Sequence, residues 1–417
     1  MKRIMSGRKF CSILRYLHVC SMDATSTGDT YDPVYKVAEM KDYLEQRFDR
    51  LFEPAQQLSL DETLIRSFGR ISFKVRIISK SARYGIKRYV LTDAITAYVI
   101  KVIIYTGKYT YQESDNQKEK KTVQIVKQLC RKLEGTHRTI YIDRFYTSID
   151  LVKELRRMDL YVTGTVMKNR IPKELTVTKS SKMYKEMGRG DFKRHRFVYL
   201  NGEEEEEMGL VCWKDWDVVY WLSNNTDTVG TDTCKRRSKD GLLTLTRPTM
   251  IAEYNKYMGG VDLADMRRLH CNSTIMGQNR WWLKLFFYLL DVGTSNALVL
   301  YKLVSARTDV FTIVDFKGYL VQAFLGNRLQ SVPEAVVSHF PTSSSGRNRC
   351  VHCAIFSRVR RTRFHCSAPD CQLPLCLVGS GQGVQDCFSL CHGNPELLAA
   401  ALIKYQAMKK KVNRRFK

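Results

Sequence analysis

The chain has 417 residues, 68 of them Lys or Arg and 42 Asp or Glu, for a formal net charge of +26. A hydrophobic fraction of 44% excludes a disordered chain, and the length provides for about two to four domains at roughly 150 residues each. A charge that large repels itself unless something acidic binds, which points to nucleic acid ahead of an anionic membrane surface.

The start, Met1-Lys2-Arg3-Ile4-Met5, is basic, has no acid before Asp23, and lacks an apolar run with a cleavage site, so no signal peptide is expected. Phe10, Ile13, Leu14 and Leu17 fall at helical spacing; a polar loop at 23–33 and a second helix over 38–52 follow. From residue 58 the period changes to two, with Ile71, Phe73, Val75 and Ile77 alternating with polar residues. The runs 86–92 and 97–105, split by Asp93-Ala94-Ile95-Thr96, predict a hairpin. Val123, Val126, Leu129, Cys130 and Leu133 mark an amphipathic helix stopped by Gly135. A strand over 139–143, a helix capped by Ser148 and a strand over 161–167 complete a strand, hairpin, helix, strand, helix, strand order, an α/β layout with a mixed sheet.

Residues 171–246 interrupt that layout. Short β runs at 197–200, 210–213 and 218–223 surround the acidic run 203–207, which reads as a solvated loop, and the block reads as an inserted β-rich unit. Helices return over 250–269 and 280–303. The stretch 281–304 has transmembrane length, but Lys284, Asp291 and Asn296 make it a buried amphipathic helix, so no membrane partner is expected. Residues 331–349 have linker composition, with two prolines, Ser343-Ser344-Ser345 and Gly346. At the end, Lys409-Lys410-Lys411-Val412-Asn413-Arg414-Arg415 reads equally as a nuclear import signal or a solvated basic tail.

Acidic residues stand out by context. Asp61 lies in Leu58-Ser59-Leu60-Asp61-Glu62 at a strand-like start, Asp143 ends the apolar run Ile140-Tyr141-Ile142, and Asp262 opens a helix after Met258-Gly259-Gly260-Val261. Asp265, three residues on, shares its helix face. Phosphodiester chemistry gathers carboxylates from different elements around a pair of Mg²⁺ ions, which take oxygen ligands. Each aspartate alone is more readily read as a turn, cap or surface residue.

The surrounding words decide between these readings. Leu60-Asp61-Glu62-Thr63, Phe68-Gly69-Arg70, Tyr84-Gly85-Ile86-Lys87 and Tyr105-Thr106-Gly107-Lys108 are followed by Ile142-Asp143-Arg144-Phe145-Tyr146-Thr147-Ser148 and by Gly164-Thr165-Val166 with Asn169-Arg170. Tyr254-Asn255-Lys256, Met258-Gly259-Gly260-Val261-Asp262, Trp281-Trp282 and Asn296 come next. In this order the motifs resemble the piggyBac transposase family from about residue 5 to about residue 392. The resemblance implies an RNase H-like mixed sheet flanked by helices, with the β-rich unit inserted. It implies catalytic, Mg²⁺- or Mn²⁺-binding Asp61, Asp143 and Asp262, with Asp265 as an additional acid. It also implies double-stranded DNA as partner, cleavage and strand transfer at TTAA targets, a nuclear location, and a homodimer once the family's longer N-terminal region is supplied. The chain departs from the family at Arg144, where Asn is usual, at Met266, where Gln is common, and in the placement of Phe68. A catalytically silent, domesticated DNA-binding or chromatin protein is the alternative expectation.

Thirteen cysteines complete the reading: six are scattered through 11–271 and seven crowd into 350–391. Crowding at short spacing points to metal ligation in a reducing compartment. Cys350, Cys353, Cys366, Cys371, Cys376, Cys387, Cys391 and His392 provide eight candidate ligands, enough for two four-coordinate Zn²⁺ ions. The cluster resembles the same family's C-terminal cross-brace zinc domain, which implies all of these except Cys391 as ligands. A ubiquitin-ligase module is a minor alternative for a cross-brace. The exposed-type cations Arg358, Arg360, Arg361 and Arg363 favour phosphate. The expected organisation is then 1–57 partial N-terminal helical region, 58–170 first part of the core, 171–246 insertion, 247–330 second part of the core, 331–349 linker, 350–393 zinc domain and 394–417 basic tail.

Overall fold

Strand-forming alternation and continuous apolar runs lay down one large sheet, onto which helices fold from both faces. A computed structural model of the chain describes residues 5–20, 32–78, 83–111, 119–201, 203–225, 230–238, 241–273, 280–305, 311–325, 341–367, 371–377 and 387–413. Two compact units, residues 1–320 and 321–417, make up the chain.

The first unit begins with α1 (Gly7–Tyr16) and α2 (Tyr35–Leu51), then β1 (Gln57–Arg66), β2 (Lys74–Arg76), β3 (Tyr84–Asp93) and β4 (Val99–Ile104). The α3 helix (Lys121–Cys130), β5 (Thr139–Ile142), α4 (Ile149–Arg157) and β6 (Tyr161–Val166) follow. Next come α5 (Lys182–Glu186), β7 (Phe192–Asn201), β8 (Glu204–Lys214), β9 (Val218–Ser223) and the hairpin β10 (Thr231–Ser238) and β11 (Gly241–Pro248). The helices α6 (Thr249–Tyr257), α7 (Gly260–His270), α8 (Trp281–Ser305) and α9 (Ile313–Leu325) end the series.

The sheet runs β3-β1-β5-β6-β9-β8-β7, with β2 and β4 both pairing β3. β4, β3 and β1 are antiparallel neighbours; β1, β5 and β6 are parallel; β9, β8 and β7 continue antiparallel from β6. The parallel strands bury one apolar set, with Leu58, Leu60, Ile140, Ile142 and Val162 at most 1% exposed, and small polar residues such as Ser59 and Thr163 are buried on the other face. The Ser148 hydroxyl accepts from Leu151 N at 3.2 Å and caps α4, while Leu151, Val152 and Leu155 bury its inner face. The α8 helix passes the length and hydropathy test for a membrane span, yet Asp291 and Asn296 lie in its buried face. Asn296 works as an extra strand residue, accepting from Val99 N at 2.9 Å and donating to Val99 O at 2.8 Å. Asp291 accepts from Lys317 Nζ at 2.7 Å.

The structure corrects the sequence reading in four places. All of the acidic run but Glu203 belongs to β8 and not to a loop; Glu206 pairs with Arg156 at 2.7 Å, while Glu205 and Glu207 stay exposed. The alternation over 71–77 yields only the three-residue β2, because Phe73 packs edge-to-face on Trp281 at 5.5 Å. The single helix expected over 250–269 is two, broken at Met258-Gly259 where the chain turns onto the sheet. Residues 341–349, expected in the linker, form a strand.

In the second unit that strand, β12 (Pro341–Arg349), pairs antiparallel with β13 (Arg361–Cys366). Three helices, α10 (Val351–Ile355), α11 (Cys387–Gly393) and α12 (Pro395–Asn413), complete the unit. Much of the expected basic tail is α12, which buries Ala401 and packs Leu398, Leu402 and Tyr405 on the cysteine-lined core. The linker reading over 331–340, most of the loop at 23–33 and the last four residues lie outside the described residues, as do the side chains of Lys409, Lys410 and Lys411.

Candidate active site and metal sites

Register places the acids. Leu60 pairs with Ile142 in the parallel ladder between β1 and β5, so Asp61 and Asp143 stand one position further along neighbouring chains. Side chains alternate across a strand, so Ser59, Asp61 and Thr63 share one face. That face is the one α6 and α7 cover: Ser59 Oγ donates to Met258 O at 2.6 Å, and a Cβ on Gly260 would lie 2.7 Å from Thr92 Oγ1 and 3.0 Å from Ser59 Cβ. On β5, Tyr141 faces the same way, packing with Met250, Ile251 and Tyr254 and meeting the Tyr257 ring at a tilt of 41°. Position 143, two residues on, projects to this side as well. The α7 helix then runs along β1 from Gly260, against Ser59, to Asp265, against Thr63. Asp262 therefore stands at the level of Asp61, on the exposed edge of α7.

The turn after β5 is tightly held. Asp143 Oδ1 accepts from Phe145 N at 2.8 Å, and Asp143 O accepts from Thr147 Oγ1 at 2.8 Å. Arg170 Nη1 donates to the carbonyls of Phe145 at 2.8 Å, Thr147 at 3.0 Å and Arg144 at 3.3 Å. On the far face Tyr146 donates to Glu62 Oε2 at 3.0 Å, tying the turn to β1. Gly164 sits beneath this turn, and only a residue without Cβ fits there. Burial pushes the Tyr254 phenol up to about 12; a hydrogen bond with Thr165 opposes the rise, and the charges of Asp143 and Asp61 add to it.

Asp265 has a different environment. Arg88 Nη2 donates to both its oxygens, at 2.7 and 3.0 Å, and Arg268 Nε donates at 3.2 Å. Burial raises the Asp265 carboxyl, and the charges of Arg88 and Arg268 outweigh that effect and hold it below its ordinary value. Asp61 and Asp143 thus sit at neighbouring positions of β1 and the end of β5, Asp262 is exposed on α7, and Asp265 turns to a buried cation.

Hard carboxylate oxygens suit Mg²⁺ or Mn²⁺. Among the described residues, the sets of three or more ligand atoms within 4.8 Å of one another both lie in the second unit. The carboxylates of Asp61, Asp143 and Asp262 do not form such a set.

The second unit sorts the cysteines. Cys350, Cys353, Cys376 and Cys387 converge as one set, and Cys366, Cys371 and His392 as another. The Cys353 and Cys387 sulfurs are 3.6 Å apart, close to the edge of a tetrahedron with Zn–S bonds of about 2.3 Å. His392 Nε2 lies 3.5 Å from Cys371 Sγ, while its Nδ1 lies 2.9 Å from Phe388 O. A Nδ1–H bond to that carbonyl leaves Nε2 as the ligand atom, the usual outer-shell arrangement of a zinc histidine. The two sets alternate along the chain, which is a cross-brace. Cys391, buried, stands outside both sets. Burial pushes the thiols of Cys371 to about 11 and Cys376 to about 12, so ligation must displace their protons. All thirteen cysteines are free of disulfides.

Sequence reasoning missed Arg88 as a functional candidate and noted Arg170 only as a landmark. A lone Arg in an alternating strand signals a surface, since fully buried Arg is rare.

Comparison with known proteins identifies the family and the fold. A family model described as Transposase IS4 matches residues 1–298. The human PiggyBac transposable element-derived protein 3 is 24% identical over 392 residues, covering 88% of this chain and 62% of that protein. The human PiggyBac transposable element-derived protein 5 is 22% identical over 334 residues, covering 78% and 60%. The chain thus spans less than two thirds of the length of these relatives. The cryo-EM structure of a piggyBac transposase synaptic complex with hairpin DNA superposes with a TM-score of 0.63 at 24% identity, over 81% of this chain and 66% of that one, and the two share a fold. With the family match extending over well more than half its length, the chain belongs to the transposase IS4 family, among piggyBac-derived relatives.

Proposed function

We propose that the first unit is a piggyBac-like DNA-processing core in which Asp61, Asp143 and Asp262 hold divalent metal, Mg²⁺ or Mn²⁺, against a phosphodiester. The observation that carries this is the register of Leu60 with Ile142, which sets Asp61 beside Asp143, with Asp262 on the helix whose first residue, Gly260, packs against Ser59 of the same strand. The order β4-β3-β1-β5-β6, three antiparallel strands followed by two parallel ones, supports an RNase H-like reading of this core. In that reading 58–170 and 247–330 are its two parts and 171–246 is the insertion.

Metal at this site supplies an activated oxygen nucleophile and offsets the charge that builds on the phosphate. The chain's own groups fix the geometry: the Arg170 clamp holds the turn of Asp143, and the close contact at Gly260 holds Asp262 over the sheet. DNA as partner is supported by the net charge of +26 and by the hairpin DNA in the similar piggyBac complex. Two Zn²⁺ ions in the second unit order its small core and present exposed Arg358, Arg360, Arg361 and Arg363 to phosphate. TTAA targets, a homodimer and a nuclear location belong to the same proposal. The silent DNA-binding alternative draws on one observation: exposed Arg144 puts a cation beside Asp143, where it competes with metal or contacts phosphate.

The test is nicking of supercoiled plasmid by the full chain in Mg²⁺ or Mn²⁺. Nicking that disappears in Asp143→Ala supports the proposal. DNA binding with no nicking in either metal favours the silent alternative, and nicking that survives Asp143→Ala refutes the assignment.

A further inference from the structure

Arg88 is among the largest fully buried side chains of the protein, at 0% exposure. Burying a guanidinium is expensive, and what compensates it here is specific. One carboxylate, Asp265 on α7, accepts from its Nη2 through both oxygens. One ring, Tyr288 on α8, lies 3.8 Å from the guanidinium carbon. The Nε and Nη1 atoms meet no acceptor among the described residues. Arg268 joins from α7 itself, 3.2 Å from the same carboxylate and 5.2 Å from the same ring. The cluster therefore fastens three elements, β3, α7 and α8, at one point.

That point bears on the acids. Arg88 registers with Thr63, and Val90, two residues along the same face of β3, registers with Asp61. Asp265 lies three residues after Asp262, less than one helical turn. Apart from Arg268, α7 meets the sheet through the modest side chains of Val261 and Ala264, through Gly260, and through Arg267, which donates to Thr96 O at 2.9 Å. A helix seated on small side chains can slide along a sheet with little loss of apolar contact. An ion pair with one geometry stops the slide, because any shift strands a buried charge.

We infer that Arg88 is a positioning residue for this site: it pins Asp265, and through it α7, so that Asp262 stands at the level of Asp61. Asp265 is then the anchor's partner and not a metal ligand. The inference rests on the reading that Asp61, Asp143 and Asp262 hold divalent metal.

The test measures Mn²⁺ affinity of the zinc-loaded full chain by electron paramagnetic resonance, beside the melting temperature. Four proteins are compared: wild type, Asp262→Asn, Asp265→Asn, and the triple variant Arg88→Met, Arg268→Met and Asp265→Leu. Removing the Asp265 charge alone leaves Arg88 uncompensated and weakens Mn²⁺ binding about 10–100-fold, the usual cost of losing an outer-shell support. The triple variant replaces the buried triad by apolar residues of similar volume, which such sites tolerate, and recovers affinity to within about threefold of wild type. Asp262→Asn loses binding without recovery. If the triple variant folds and binds no better than Asp265→Asn, Asp265 is a ligand and the inference fails. If Asp265→Asn melts earlier but binds Mn²⁺ as wild type does, the pair serves stability alone, and the inference also fails. A wild-type protein that binds no Mn²⁺ at all refutes the metal reading itself and removes the role with it.

Discussion

Gly164 offers a direct measure of how firmly the Asp143 turn is seated. A Cβ at this position would overlap Thr147 Oγ1 and lie 2.7 Å from Ile142 O and 2.9 Å from Ile142 Cγ1. None of these neighbours yields cheaply. Ile142 is paired on both sides, with Leu60 and with Gly164, and Thr147 Oγ1 is committed to Asp143 O at 2.8 Å. Overpacking of this kind costs about 1–3 kcal/mol, and loss of the Thr147 bond adds about 1 kcal/mol. Gly164→Ala should therefore destabilise the first unit by about 2–4 kcal/mol. Urea unfolding followed by tryptophan fluorescence reads this unit selectively, because all five tryptophans lie between residues 213 and 282. Gly259→Ala is the control: its added Cβ meets nothing within 4 Å, and it should stay within about 0.5 kcal/mol of wild type. Equal stability of the two variants would mean that the turn is not packed on β6 as described, and the fixed position of Asp143 would lose its basis.

Two further outcomes follow from the charged and metal-binding groups. The Asp265 carboxyl is held below its ordinary 3.8, so the folded protein takes up this proton less readily than the unfolded chain, and the stabilisation is complete above that value and lost as pH falls through the folded one. The urea midpoint of wild type should exceed that of Asp265→Asn by a constant amount at about pH 5–7, and the gap should close in more acidic solution; a gap that widens there contradicts the sign. For the second unit, native mass spectrometry should find two zinc ions in wild type and in Cys391→Ala, and fewer in Cys353→Ala and His392→Ala. Loss of zinc in Cys391→Ala would move that thiol into the ligand set.

Much of the fold is local enough to be legible in the chain. The period-two runs around Ile86 and Val99 specify the β3–β4 hairpin, the Ser148 cap specifies the start of α4, and apolar Ile140, Tyr141 and Ile142 specify a strand buried on both faces. The cysteine spacing declares metal chemistry, since ligands a few residues apart reach one ion through a short loop. Each of these signals depends on neighbours within about one element's length.

What the chain could not declare depends on partners far along it. The acidic run becomes a strand because β7 and Arg156 receive it. The 250–269 helix breaks because Gly260 must meet Ser59 and Thr92 across nearly two hundred residues. Cys391 is as cysteine-like as its neighbours, and only its position outside both ligand sets separates it from them. Asp262 and Asp265 look alike in sequence, three residues apart on one helix. Tertiary structure alone gives one of them the level of Asp61 and the other a buried arginine, because a carboxylate's role is set by the charges packed around it and not by its own chemistry.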